Sequence, residues 1–467
     1  MGRIWGLLAL MVLVSCSFNR PAQAVPSPVP ENPEALAERI QALLAEERLP
    51  GVAVALILPN GRVWARGFGV ADRSSGRPLT DSTLFRLGSV SKMFVATAAL
   101  QQVEEGRLNL HDPLRVLAPS LEFRNPWTEN HPVRLVHLLE HTAGFDGTHP
   151  AEVYAPHDSM PLRAQVNHHP HSKVVRHVPG RFTVYSDPGM NAAAFAIQQV
   201  VGRPFEAHVE ARIFEPLGMD AATYRYEEAR REGIAVGYAS TTPRPVVPRP
   251  LTLRSAVGAL ASVRDVARFV KMLLQRGRLG GRRLLDSTSV RRMETPQTTL
   301  AAKQHNIRVG TGIGNYPVEQ NGFLWHGHSG VLDGYAASAR YLDEHDRGYV
   351  ALFNGSSGDY ERIEALLVDY LAQDLSPPGA PAASVDRMDL SEYEGYYISV
   401  APRYAPLQAL APWTRMLRVT AGRYLLHVDP LMESFDPVRS EAADTWLPVG
   451  PGQFRDRGDP VATHAFV

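Results

Sequence analysis

Residues 85–106 read FRLGSVSKMFVATAALQQVEEG, and this stretch decides the fold. From Met93 onward it is an apolar, alanine-rich run of helical length that ends at Gly106, a residue type that commonly stops a helix. Ser89 therefore lies at a predicted helix N-terminus, where backbone N–H groups and the helix dipole favour a developing negative charge. Lys92 follows three residues later, so both side chains share one face of the helix. The pattern predicts a nucleophilic serine with a lysine within reach of a proton transfer.

A simpler interpretation makes Ser89 or Ser91 an N-cap that only satisfies backbone N–H groups. The residue usage of the chain favours the chemical interpretation. Lysine and arginine together total 48, yet lysine occurs only at positions 92, 173, 271 and 303. Arginine keeps its proton in a protein, whereas a buried lysine can lose it and act as a base. A lysine one turn after the serine is thus a candidate general base.

Outward from this stretch, the chain carries further strand and helix patterns. Asn32 is a predicted N-cap, with Pro33 in the first turn of its helix. Residues 51–58 and 62–70 form a predicted hairpin across a turn at 59–61. Further patterns follow: helices at 89–105, 189–201, 263–276 and 360–373, and strands at 336–342 and 349–354. Strands at both ends of this region with helices between them predict an α/β or α+β domain whose sheet joins distant segments.

The chain divides by composition into four parts. We expect a signal segment at 1–24, a main domain at 25–374 and a Pro-rich linker at 375–388. Residues 389–467 carry short strand-like runs between Gly and Pro turns, which predicts a small C-terminal β domain. Its last run, at 462–467, has no following strand to pair with, so we interpret this β domain as a shortened one.

The first residues have the pattern of an export signal. Arg3 precedes an apolar run that is too short to span a bilayer as a mature helix. The tetrad LVSC resembles a bacterial lipobox, and its Cys16 is the only cysteine of the chain. Ala22-Gln23-Ala24 offers a site for ordinary signal peptidase instead. We expect export to the bacterial periplasm or cell envelope, with a lipid anchor on Cys16 slightly favoured over a soluble form.

Charge and composition exclude one class of partner. Basic and acidic residues each total 48, so the formal net charge is zero. Without a basic surface field, the chain lacks the electrostatic footprint of a nucleic-acid-binding protein. A hydrophobic content of 44% over 467 residues is enough for a sizeable core in more than one unit.

Five phrases follow each other in the order of a known family. They are FRLGSVSK at 85–92, HLLEHTAGF at 137–145, PGRFTVYSD at 179–187, FEPLGM at 214–219 and HGHSG at 326–330. In this set the chain resembles the serine β-lactamase and penicillin-binding-protein superfamily. The similarity is to its class C-like branch, which also holds D,D-peptidases, D-aminopeptidases and esterases. It implies an antiparallel sheet flanked by helices, an all-helical lobe, a small-molecule or peptide acyl substrate, and no cofactor or metal.

The resemblance also implies a role for each matching position. Ser89 attacks the carbonyl carbon of the substrate, and Lys92, shifted toward its neutral form by burial, helps to accept the proton. Tyr185 is the implied second proton carrier, with a pKa lowered by nearby cations. The oxyanion hole is implied at the backbone N–H groups of Ser89 and Val331.

The HGHSG phrase at 326–330 supplies most of the implied substrate contacts. His328 takes the cationic place, Ser329 is a hydroxyl donor, and Gly330 leaves the strand bare for an extended substrate. Histidine instead of lysine weakens the positive charge that holds a β-lactam carboxylate. Asp187 stands where the family has an asparagine, whose side-chain amide donates to the substrate. An ionised carboxylate cannot donate a hydrogen bond, and beside Lys92 it favours the ammonium form of the lysine. Both departures favour ester, amide or D-amino-acid peptide substrates over β-lactams.

Two other functions stay open on the sequence. His137, Glu140 and His141 spell H-x-x-E-H, a zinc-peptidase pattern, and histidines at 168, 169, 171 and 177 could supply further ligands. The Asp187 departure also suits a penicillin-recognising sensor or binding protein that is acylated without turnover, because fold does not fix function.

Overall fold

The structure is a computed structural model of the whole chain. It describes residues 29–149, 152–157, 159–168, 171–239, 244–306, 310–356 and 360–379, and seven short segments at 390–393, 395–398, 416–421, 425–430, 444–450, 453–456 and 464–465. The signal segment with Cys16 and most of the predicted linker lie outside the described residues. Within the described residues, every helix is too short or too polar to cross a bilayer.

The main region has strands towards both of its ends and mostly helices between them, as predicted. The strands up to residue 379 are β1 Gly51–Ile57, β2 Val63–Asp72, β3 Arg77–Pro78, β4 Phe85–Arg86, β5 Leu260–Ala261, β6 Arg278–Leu279, β7 Arg282–Arg283, β8 Val318–Gln320, β9 Phe323–Leu332, β10 Tyr335–Leu342 and β11 Arg347–Phe353. The helices are α1 Pro33–Glu46, α2 Ser91–Glu104, α3 Leu114–Leu117, α4 Leu135–Leu139, α5 Leu162–Asn167, α6 Asp187–Val201, α7 Phe205–Val209, α8 Glu215–Leu217, α9 Tyr226–Glu232, α10 Arg254–Val257, α11 Val263–Leu274, α12 Ser287–Glu294, α13 Leu300–His305 and α14 Glu361–Ala372.

One antiparallel sheet organises the main region. Among the described residues it has seven strands in the order β3-β2-β1-β11-β10-β9-β8. The central pair joins the two ends of the region, since Val52 lies opposite Phe353. The fold class predicted from the sequence, an antiparallel sheet flanked by helices, is confirmed.

The alternation of β1 explains why helices cover both faces of the sheet. Every residue of GVAVALI is buried. Val52, Val54 and Leu56 pack with α1 and α14 on one face. Ala53, Ala55 and Ile57 pack with α2, α11 and the helical lobe on the other face. A strand that is apolar at every position is expected when both faces of a sheet are covered.

Local caps fix where the helices begin. The Asn32 side chain accepts from the Ala35 N–H at 2.9 Å, and Pro33 is the first residue of α1. Helix α11 begins with a capping box, in which Ser262 and Asp265 each accept from the other's backbone N–H. Ser186 caps α6 through the Gly189 N–H, and this cap sets Asp187 at the first position of the helix. The caps therefore position residues of the site as well as the helices.

A second sheet lies in the C-terminal part of the chain. Its strands are β12 Gly395–Ile398, β13 Met416–Ala421, β14 Leu426–Pro430, β15 Asp444–Gly450, β16 Gln453–Asp456 and β17 His464–Ala465. They pair in chain order as an antiparallel meander. Buried Leu390, Val419, Leu426 and Phe454 form a small core of their own. The sheet agrees with the predicted C-terminal β unit, while the boundaries of the four predicted parts stay a prediction.

Candidate active site

Ser89 lies on a tight turn that leads directly into a helix. The turn, Gly88–Val90, is a 3-10 helix that continues as α2. Gly88 has a φ of +54°, a left-handed conformation that favours glycine. Ser91 is part of the support of this turn, because its hydroxyl donates to the Gly88 carbonyl at 2.7 Å and accepts from the Ala259 N–H at 3.1 Å. Ser91 is thus committed to the backbone, whereas Ser89 meets the lysine.

The Lys92 amine lies between a hydroxyl and a carboxylate. It donates to Ser89 Oγ at 2.8 Å and lies 2.6 Å from Asp187 Oδ1. It also reaches the Ala256 carbonyl oxygen on α10, at 3.3 Å. Thr148 donates to the second oxygen of Asp187 at 3.0 Å. A nucleophile, a proton-bearing group and an anion that orients it are the parts that covalent catalysis needs.

Lys92, which is fully buried, and Asp187, which is partly exposed, form an ion pair that corrects one expectation. Burial lowers the pKa of Lys92, but the Asp187 carboxylate and Tyr185 outweigh it, so the pKa of Lys92 is raised. Burial raises the pKa of Asp187, but the Lys92 ammonium outweighs it, so the pKa of Asp187 is lowered. The expected shift of Lys92 toward its neutral form is therefore wrong for the resting enzyme, while the expected effect of Asp187 on the lysine is present.

Tyr185 lies close to both Lys92 and Ser89. Its ring lies 5.1 Å from Lys92 Nζ and stacks on His141, with centroids 4.2 Å apart. Its hydroxyl interacts with both Lys92 and Ser89. Burial raises the pKa of Tyr185 more than the Lys92 ammonium lowers it. The lowered pKa expected for this phenol is wrong: Tyr185 rests as a protonated hydrogen-bond donor.

The free edge of β9 comes close to Ser89. Leu332 pairs with Tyr335 across a two-residue turn, so the odd-numbered amides of β9 point away from β10. The Gly327 N–H shows this direction by donating to Asn315 Oδ1 at 2.9 Å. A Cβ at Gly88 would lie 3.1 Å from the nitrogen of Val331. The N–H of Val331 and that of Ser89 therefore border the same space, as an oxyanion hole requires.

Gly330 permits this approach, and its substitution is a direct test. A Cβ at Gly330 would lie 2.3 Å from the Leu87 carbonyl oxygen and 2.6 Å from the Ser89 nitrogen. We expect Gly330→Ala to push β9 off the nucleophile and to reduce kcat about 100-fold or more, the typical cost of losing one oxyanion donor. Ester hydrolysis and thermal unfolding would be measured together. Gly147→Ala is the control, since nothing lies within 4 Å of a Cβ there; equal kcat values in the two variants would contradict the assignment.

His328 and Ser329 lie beside the catalytic groups on β9. His328 is buried, and its Nδ1 lies 2.6 Å from the Ser329 carbonyl oxygen. Because a carbonyl can only accept, Nδ1 carries the proton and Nε2 bears a lone pair. Burial, reinforced by the Lys92 ammonium, holds the pKa of His328 well below its usual value. His328 is thus neutral, which corrects the cationic role expected for it. The Ser329 hydroxyl is hydrogen-bonded to the Tyr316 hydroxyl.

The H-x-x-E-H segment has structural partners. Glu140 is fully buried, forms an ion pair with Arg292 and accepts the backbone N–H of Thr298 at 2.9 Å. The Nδ1 atoms of His137 and His141 accept from the N–H groups of Arg134 and Ser186, at 3.2 Å and 3.0 Å. Across the described part of the chain, no three side chains group as metal ligands do. Glu140 therefore holds two segments together, and the geometry does not favour the zinc alternative.

Three contacts of the site were missed by sequence reasoning. Thr148, Ala256 and Tyr316 lie on two loops and a short helix, and they contact Asp187, Lys92 and Ser329, respectively. None belongs to a phrase with a chemical pattern. Only the fold brings them together, so the sequence offered no signal for them.

Comparisons with known proteins agree with this geometry. A family model described as Beta-lactamase matches residues 36–373. A β-lactamase of Pseudomonas fluorescens is 29% identical over 241 residues, which cover 51% of this chain and 64% of that protein. A β-lactamase of Escherichia coli K12 is 29% identical over 271 residues, which cover 58% of this chain and 66% of that protein. The chain thus spans just under two thirds of the length of these relatives.

A solved structure extends the similarity beyond the matched segments. The octameric penicillin-binding protein homologue from Pyrococcus abyssi is 25% identical, with a TM-score of 0.63, over 91% of this chain and 95% of that chain. The family model alone covers most of the chain. This chain therefore belongs to the Beta-lactamase family of serine hydrolases.

Proposed function

We propose that the chain is an exported serine hydrolase that forms an acyl-enzyme on Ser89 with ester, amide or D-amino-acid peptide substrates, and that it is a poor β-lactamase. The observation that carries the proposal is the 2.6 Å ion pair of Lys92 with Asp187, beside a Ser89 hydroxyl 2.8 Å away. Because of this ion pair, Lys92 rests as an ammonium and is a weak acceptor for the Ser89 proton. The Asp187 carboxylate also places a negative charge beside the nucleophile, where we expect the substrate to lie.

The proposed acylation uses groups that are already in contact. Lys92 in its neutral form takes the Ser89 proton as the oxygen bonds to the substrate carbonyl carbon, and Asp187 stabilises the ammonium that results. The N–H groups of Ser89 and Val331 stabilise the oxyanion. When the tetrahedral intermediate collapses, the leaving group takes a proton from Lys92 or Tyr185. Water then attacks the acyl-enzyme in the same way, with Ser89 as the leaving group.

The charges of the site support the proposed substrate class. Asp187 can accept but cannot donate while it is ionised. His328 is neutral and so supplies no positive charge to hold a carboxylate. The carboxylate of a β-lactam would be repelled by Asp187, and it would find no positive charge at His328. Esters, amides and peptides without a free carboxylate suit these surroundings better.

The rates on two kinds of substrate test this proposal. We expect purified enzyme to hydrolyse a short p-nitrophenyl ester with a kcat/KM at least about 100-fold above that for a chromogenic cephalosporin, since one misplaced charge costs about 3 kcal/mol. Equal values for the two substrates would refute the substrate class.

The ion pair also favours one alternative. A lysine held as an ammonium activates water poorly, so the same geometry suits a penicillin-recognising protein that is acylated and does not turn over. Intact-mass measurements after exposure to a fluorescent penicillin separate the two. A stable adduct with no ester turnover would support the sensor, and ester turnover without a lasting adduct supports the hydrolase.

The proposed location is the cell envelope, with a lipid on Cys16. This residue ends the lipobox-like tetrad and is the only cysteine of the chain. We expect fractionation of cells that express the full chain to place it in the membrane fraction. Cys16→Ala should move it to the soluble fraction, and an unchanged membrane fraction would exclude lipid attachment at this residue.

A further inference from the structure

The outer edge of β2 is left uncovered along part of its length. β3 pairs only with the far end of β2, at Val70 and Asp72. Along the rest of β2, β1 is the one partner among the described strands. The Leu58 N–H donates to the Arg62 carbonyl at 2.8 Å, so the even-numbered residues of β2 bond to β1. The odd-numbered residues therefore point their N–H and C=O groups toward the outer edge.

Val63 and Ala65 offer their backbone groups on this edge. A residue of the same parity shows the direction, because the Gly69 carbonyl accepts from the Leu79 N–H at 3.1 Å. Within the described residues, no backbone hydrogen bond reaches Val63 or Ala65 from that side. An unpaired strand edge is a template to which another extended chain can add.

A groove runs between this edge and helix α11. Its volume is about 730 Å³, and Val63, Ala65, Ala267 and Leu279 give it an apolar lining. Val63 is 44% exposed, so the groove leaves an apolar side chain open to solvent. None of the residues that line the groove belongs to the catalytic groups. The volume is in the range of ligand sites.

The groove carries an excess of positive charge. Arg264 and Asp81 in its wall pair at 2.5 Å and offset each other. Arg268 is exposed, Lys271 is half-buried, and neither has an ion-pair partner within the described part of the chain. They donate instead to backbone carbonyls, at 2.6 Å and 2.7 Å. Each uses one N–H in this way, so further donors of both cations are left for an anionic ligand.

We propose that this groove binds an extended acidic peptide segment of a partner protein, which adds to β2 as an antiparallel strand. Ala65 packs toward the core that includes α11, so a peptide residue opposite Ala65 points its side chain to the same face. Acidic side chains at alternate positions of the peptide, about 7 Å apart, thus meet Arg268 and Lys271. The groove is separate from the acyl-enzyme chemistry, so the proposal does not rest on the proposed substrate class.

Calorimetry on the full chain with Ser89→Ala tests the groove without any turnover. The probe is the pentapeptide threonine-glutamate-valine-glutamate-threonine with an N-acetyl and a C-amide group. A second peptide carries lysine in place of both glutamates. We expect the acidic peptide to bind and the lysine peptide to bind at least about tenfold more weakly, because attractive charge pairs become repulsive.

N-methylated peptides test the strand pairing. In an antiparallel pair, the peptide residues that exchange N–H···O bonds with Val63 and Ala65 are those whose side chains face α11. N-methyl groups on both glutamates should therefore weaken binding at least about tenfold. An N-methyl group on the valine points away from β2, so we expect that peptide to bind as well as the parent.

Two variants test the charges from the protein side. Arg268→Glu combined with Lys271→Glu should weaken the acidic peptide at least about tenfold, and with Ser89 restored it should leave the ester kcat unchanged. Arg163→Glu, which changes an exposed cation on α5, is the matched control and should bind the peptide normally. Thermal unfolding shows whether each variant keeps its fold, and the peptide comparisons need no variant in the groove. No binding of the acidic peptide, equal binding of the lysine peptide, or full binding of the peptide methylated on its glutamates would each overturn the proposal.

Discussion

Ser89→Ala should abolish ester turnover, with a loss in kcat of about 10³-fold or more, because no other hydroxyl takes its place. The other serine of the turn, Ser91, is fully buried and committed to Gly88 and Ala259. Intact mass after exposure to a p-nitrophenyl ester or a fluorescent penicillin should show no adduct on the variant. Those measurements identify the nucleophile directly.

Ser91→Ala is the matched control for that experiment. It removes two hydrogen bonds under the turn and should cost about 1–3 kcal/mol of unfolding free energy. Its acylation by the ester should persist, because Ser89 and Lys92 keep their contact. If Ser91→Ala lost the adduct while Ser89→Ala kept it, the nucleophile would be Ser91 and the proposed site would be wrong.

Asp187→Asn should move the pH dependence of the reaction. Acylation requires neutral Lys92, so kcat/KM rises as pH passes the pKa of Lys92, which Asp187 raises. Without the carboxylate, burial dominates and lowers that pKa. We therefore expect the rising limb of the profile to move to lower pH. The ester pH–rate profiles of the two proteins are the measurement.

The same substitution should also speed acylation by penicillin, by about tenfold. The asparagine amide can donate to the substrate, and the fixed negative charge is gone. Asp374→Asn is the control, because its carboxylate pairs with Arg347 far from Lys92. A pH profile that did not move would show that Asp187 does not set the protonation of Lys92.

Local patterns were predictable from the sequence where geometry follows from spacing. Ser89 and Lys92 are three residues apart, and a helical turn alone brings their side chains together. The burial of β1 and the capped start of α1 at Asn32 follow from short stretches in the same way. Gly330 was predicted to leave its strand bare, and the close contact with the Ser89 nitrogen agrees with that.

Protonation states were not predictable, because they depend on distances between segments. The pKa of Lys92 depends on how closely the first turn of α6 places Asp187 against it. The pKa of Tyr185 depends on how completely the lobe covers its hydroxyl. The neutral form of His328 depends on its burial, which no residue pattern encodes, and its tautomer follows from the carbonyl next to it. Spacing identifies the participants, and packing decides their charge.

The pairing of β1 with β11 has a consequence for how the chain folds. Val52 finds its partner in Phe353, so the central pair of the sheet cannot form until nearly all of the main region has been synthesised. Contacts so distant in sequence fold slowly and leave apolar strand edges exposed in the meantime. Until then β1 pairs with β2 alone, and its other edge, which β11 covers in the finished sheet, stays exposed. Release of chains that stop before residue 347 should yield aggregates rather than a smaller folded hydrolase.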